Sequence, residues 1–187
     1  MRMLSTVPEW VRPPRPAVVR MEGFLLRLYG RTKSPEVLGA WACLDWLGGW
    51  LGEKTRGPLI LRGLPTEAAA RGDMRVASAI AEGETYPGPA WWDGHAIAVG
   101  DRMPVEEWAT RIASEYERHY CHGVRVAFGW LLGVVDDPAL LAPVRDGEGA
   151  RISMVDREAY RCHLREIAQL AAGPEVPGDR RRAIPTG

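Results

Sequence analysis

The sequence predicts a mostly α fold: a single-domain helical bundle of about five or six helices, with room for one short two-stranded β-ribbon. Three observations lead there. Apolar residues recur at spacings of three and four through several separate stretches. Serine, threonine, aspartate or proline opens most of these stretches, and glycine closes them, as helix ends require. The chain has 187 residues and is 46% hydrophobic, enough to bury one core without disulfide or metal staples.

Residues 1–16 contain Pro8, Pro13, Pro14 and Pro16, which predicts an extended arm with Trp10 as its anchor. The helical domain is expected over residues 17–173. Val18, Met21, Leu25 and Leu28 mark a first helix that should stop at Gly30, since glycine adopts the left-handed end conformation easily. Ser34 and Pro35 are a capping residue and a first-turn proline, so a second helix should run from Pro35 to about Glu53. Leu38, Trp41, Leu44, Trp46, Leu47, Trp50 and Leu51 make it apolar nearly all round, the pattern of a central, buried helix. The pair Gly48-Gly49 is a point where it could end early.

Gly57 to Arg62 and Ala96 to Val99 are the two short segments that could pair as the ribbon. Between them, Thr66-Glu67 opens a helix expected to reach Ala81 and end near Gly83. A helix-turn-helix reading, with Gly72-Asp73 as the turn, fails on the apolar positions around it. Pro104 to Gly133 reads as one long helix with Glu106 and Glu107 in its first turn. Asp137-Pro138 caps a short helix through Leu141, and Pro143 to Arg151 is loop. Ser153 with Asp156 opens a last helix, Met154 to Ala172. Residues 174–187 form an arginine-containing tail expected to be disordered.

Charge narrows the function classes. Basic and acidic residues balance at 24 each, so no global field draws the chain to nucleic acid or to an acidic membrane. Arginine dominates the cations, with lysine only at Lys33 and Lys54; Arg180, Arg181 and Arg182 are the natural phosphate contacts if any exist. No apolar run has bilayer-spanning length, and Met1 to Arg20 lacks the unbroken apolar core of a secretion signal. A bacterial, cytoplasmic protein is the expectation. Cys43, Cys121 and Cys162 lack the spacing of a zinc ribbon or redox motif.

Two groups of residues carry the candidate chemistry. The first lies on the long helix, where Val105, Trp108, Ile112, Tyr116, His119, Gly123, Val126, Ala127 and Trp130 form one stripe. His119 falls inside that stripe, with Glu115 and His122 on its shoulder, while Cys121 points the opposite way and Arg118 faces solvent. On the last helix, His163 shares a stripe with Ala159, Ile167 and Leu170. If the two helices pack, Glu115, His119, His122 and His163 could together hold zinc or iron. A histidine buried beside carboxylates is also suited to acid–base work. The spacing matches no established metal signature.

The second group is aromatic. Eight tryptophans are many for this length, and Tyr86, Trp91 and Trp92 sit among Pro and Gly in one loop. With Trp46 they make the expected contact surface for a protein partner or small ligand. The leading expectation is therefore a non-catalytic interaction or adaptor protein with no cofactor. The alternative is a metal-dependent enzyme or metal-binding protein using zinc or iron at the histidine cluster. Nucleic-acid binding ranks below both. No phosphate-cradling glycine loop, nucleophile elbow or dinucleotide fingerprint is present.

Overall fold

The computed structural model describes residues 7–48, 65–83 and 113–172. It is a helical bundle whose elements are α1 (Arg15–Thr32), α2 (Pro35–Leu47), α3 (Glu67–Ala81), α4 (Glu115–Leu131), a 3-10 turn (Pro138–Leu141) and α5 (Met154–Ala172). Both segments expected to form the ribbon lie outside the described residues, as does the tail. No described helix is long and apolar enough to cross a membrane.

Helix ends follow local chemistry, with three corrections to the sequence reading. α1 runs through Gly30 and stops at Lys33, which takes the left-handed conformation at φ 53° with its N–H bonded to the Tyr29 carbonyl. The Lys33 ammonium lies over the Tyr29 ring at 5.1 Å, which offsets part of the cost of that conformation. α2 begins at Pro35 as expected but closes on Gly48, at the early stop that the glycine pair offered.

The third correction concerns α4, which starts at Glu115 and not at Pro104. Ser114 is its N-cap in extended conformation, accepting from the Glu117 N–H while the Glu117 side chain returns to the Ser114 N–H. This reciprocal capping box satisfies two orphan donors and fixes the start. By contrast, α3 and α5 keep their expected limits. Thr66 caps α3 by accepting from Ala69 N–H, and Gly83 follows at φ 85°. α3 is continuous through Gly72 and Asp73, so there is no turn for a helix-turn-helix. Ser153 accepts from the Asp156 N–H at 3.1 Å and donates to its carboxylate at 2.6 Å.

α4 is the spine, packed on α2 along one side and on α3 along another, while α1 covers α2 and α5 leans on α1 and the 3-10 turn. Being sandwiched, α4 buries Cys121, Val124 and Phe128 as well as Val126 and Trp130. Cys121, expected opposite His119, is therefore in the core on the α3 side. Trp46 is a second correction of this kind. It is 3% exposed and meets Phe128 edge-on at 5.7 Å and 87°, a favoured aromatic geometry, so it belongs to the core and not to a contact surface. The arm residue Trp10 does act as an anchor, its indole donating to the Pro65 carbonyl at 3.1 Å.

Two glycines set how closely α2 and α4 cross. A Cβ at Gly39 would run into the Tyr120 carbonyl oxygen, and a Cβ at Gly123 would run into the Glu36 carbonyl oxygen. Each helix thus offers a glycine to the backbone of the other, and the N-terminal turn of α2 is pressed onto the first half of α4.

Candidate functional site

That crossing creates the one arrangement in the described chain with evident chemistry. Glu36 lies in the first turn of α2 and is 7% exposed. Its Oε2 accepts from the fully buried Ser34 hydroxyl at 3.2 Å. Its Oε1 stands 2.8 Å from Nδ1 of His119, 83 residues away in sequence. A carboxylate only accepts, so Nδ1 carries the proton and donates. Nε2 faces the open side, where Glu115 Oε1 lies 3.5 Å away. Ser34 is itself held by its N–H to the Thr32 hydroxyl, which donates to the Leu28 carbonyl. A short chain of bonds therefore fixes the carboxylate, and the carboxylate fixes the ring.

Two surface cavities share Glu36, Glu115 and His119 as a common wall. One, of about 420 Å³, is completed by Ala81, Arg118 and His122. The other, of about 330 Å³, is bounded by Tyr116 and the turn from Arg145 to Gly149. The turn is fixed to the α1–α2 junction, because the Gly147 N–H donates to the Thr32 carbonyl at 2.8 Å.

His122 differs from His119 although they sit one turn apart. Arg125 Nη2 is 3.1 Å from its Nδ1, and a guanidinium can only donate, so Nδ1 accepts here. Burial is the main cause that lowers its pKa from 6.5, the Arg125 charge adds to it, and Glu36 and a backbone bond to Leu140 oppose it. Its surroundings therefore disfavour the imidazolium. Arg125 also pairs with Glu82 at the end of α3, at 3.1 Å.

Of the four expected metal ligands, Glu115, His119 and His122 line the same cavity. His163 does not join them. It is half exposed on α5, set against Phe24 of α1 at a 33° tilt with ring centres 4.7 Å apart, and 3.5 Å from Glu166. α5 packs on α1 and the 3-10 turn and makes no packing contact with α4, so the two histidine positions stay separate. Among the described residues no three His, Cys, Asp or Glu side chains are grouped as ligands of one ion. Tyr86, Trp91, Trp92, Arg180, Arg181 and Arg182 lie outside the described residues.

Glu36 and Ser34 are the site residues that sequence reasoning missed. Ser34 was read only as a helix cap, and no local signal links it or Glu36 to a histidine in another helix. Gly39 and Gly123 were the available hint, because paired small residues on two apolar helices permit close approach. Comparison with known proteins adds no assignment: no family model, curated protein or solved structure matches this chain.

Proposed function

We propose that the cleft between α2, α3 and α4 is a small-molecule site in which His119 accepts and returns a proton. The observation that carries this reading is the 2.8 Å contact from Nδ1 to the buried Glu36 carboxylate. It orients the ring and turns Nε2 towards a cavity, the arrangement that general-base histidines need. Glu115 beside Nε2 attracts the positive charge that arrives with a proton. The test is hydrolysis of an activated ester as a reporter of the base. His119→Ala should lower the protein-dependent rate by about a hundredfold and Glu36→Ala by about tenfold, while His163→Gln, on α5 and outside both cavities, stays within about twofold. An unchanged rate in His119→Ala would overturn the reading.

A metal site is the second reading, supported by Glu115, His119 and His122 sharing one cavity. It ranks second because Arg118 adds positive charge there, and because among the described residues no three candidate ligand side chains are grouped around one ion position. Equilibrium dialysis with zinc decides it: about one equivalent bound in wild type and lost in His119→Ala would raise it above proton transfer. The interaction reading rested in part on Trp46, which is core; its other residues, Tyr86, Trp91 and Trp92, lie outside the described residues.

A further inference from the structure

We propose that the two cavities flanking His119 form one site for a zwitterion of the amino-acid or short-peptide class. Its carboxylate would be held at Arg118 and its ammonium at Glu148. The proposal rests on reading Glu36–His119 as the centre of the site.

The cavities adjoin, because each is walled by Glu36, Glu115 and His119. Their outer ends carry opposite charge. On one side is Arg118, which forms no ion pair with any described residue. Its guanidinium is packed against the end of α3, where a Cβ on Gly83 would stand 3.7 Å from its Cζ. On the other side the turn carries one positive side chain, Arg145, and two negative ones, Asp146 and Glu148. Arg145 donates to the Gly149 carbonyl at 2.7 Å, and Asp146 accepts from the N–H groups of Glu148 and Ala150. Only Glu148 keeps a carboxylate that the turn does not employ.

Both ends are presented on fixed elements. Arg118 projects from α4. Glu148 follows Gly147, whose N–H is bonded to Thr32 and where a Cβ would stand 2.6 Å from the Lys33 backbone oxygen. A simple anion in this site would meet Glu36, Glu115, Asp146 and Glu148, and a simple cation would meet Arg118 and Arg145. A molecule with its negative end at Arg118 and its positive end at Glu148 lowers both penalties, which is how charge placement selects a ligand. Peptides extend by about 3.5 Å per residue, so length is the variable that matches the span. The ligand's middle would then lie against His119.

Alanine, dialanine and trialanine are the probes, measured by calorimetry and by the ring signals of His119. One of the three should bind and shift those signals. Its N-acetylated form and its C-terminal amide should each bind about tenfold more weakly or worse, as expected for losing one ionic contact. Arg118→Ala should remove the difference between the parent peptide and its amide. Glu148→Ala should remove the difference between the parent and its acetylated form. The proposal is overturned if no probe moves the His119 signals, or if a capped form binds wild type as well as its parent does. Ester hydrolysis needs no such ligand, so its dependence on Glu36 with no probe binding would reject the zwitterion and leave proton transfer standing.

Discussion

His119 and His122 show how one helix turn can hold two imidazoles in opposite roles. The first donates from Nδ1 to a carboxylate and the second accepts at Nδ1 from an arginine. For His122 this has a stability consequence whose sign is fixed. Its pKa in the fold lies below the 6.5 of an ordinary histidine, so as pH falls the unfolded chain takes up the proton first. Stability from this residue is therefore whole above about pH 6.5 and is lost progressively as pH falls towards the folded value. Glu22 and Asp45 act in the opposite sense at lower pH. Burial raises both, and the charge of Asp45 adds to the rise at Glu22, so the fold keeps their protons longer than the unfolded chain does. The comparison that isolates His122 is the urea midpoint at pH 7 and pH 5 in wild type and His122→Gln. Wild type should lose more of its midpoint than the variant, and an equal loss in both would show that His122 does not contribute.

At the scale of elements, the site exists because two glycines let α2 and α4 touch. Gly123→Ala would drive a Cβ into the Glu36 carbonyl oxygen, and backbone cannot move aside as a side chain can. Overpacking of this kind costs about 1–3 kcal/mol, and the variant should also lose ester hydrolysis as Glu36 and His119 part. Gly30 is the control. It lies inside α1, a Cβ there meets nothing within 4 Å, and Gly30→Ala should stabilise by about 0.5–1 kcal/mol. Thermal melts of the two variants must move in opposite directions. The same contrast explains what could be read in advance. α3 and α5 were legible to the residue because Thr66 and Ser153 are local caps, and their chemistry is complete within four residues. α4 was misread at its start although Ser114 and Glu117 spell a capping box, because Pro104 with two following glutamates offered a rival start upstream. Glu36 could not be found as a partner of His119, since that contact depends on a helix crossing. His163 went astray for the same reason: its stripe was seen, but a stripe does not say which neighbour covers it.

For the whole molecule, the central question is whether α2, α3 and α4 open as one body. The site draws on all of them and on the turn at Arg145–Gly149, so partial opening would dismantle it. The three cysteines report on this directly. Cys43 on α2 and Cys121 on α4 are 0% and 2% exposed, and Cys162 on α5 is exposed. Burial pushes the Cys43 thiol well up and the Cys121 thiol up to about 12, so neither is an appreciable thiolate near neutral pH even before access is considered. A disulfide-exchange reagent should therefore label one thiol rapidly in the native protein and all three in denaturant. The slow pair should react only through opening, at a rate that tracks global stability as urea is raised. Matching urea dependence at Cys43 and Cys121 would mean that the sandwich around α4 is a single cooperative unit. Rapid labelling of either in the native state would place that thiol at the surface and contradict the packing that brings Glu36 to His119. Among the described elements α5 touches only α1 and the 3-10 turn, so its fraying should expose neither buried thiol and should leave the cleft intact.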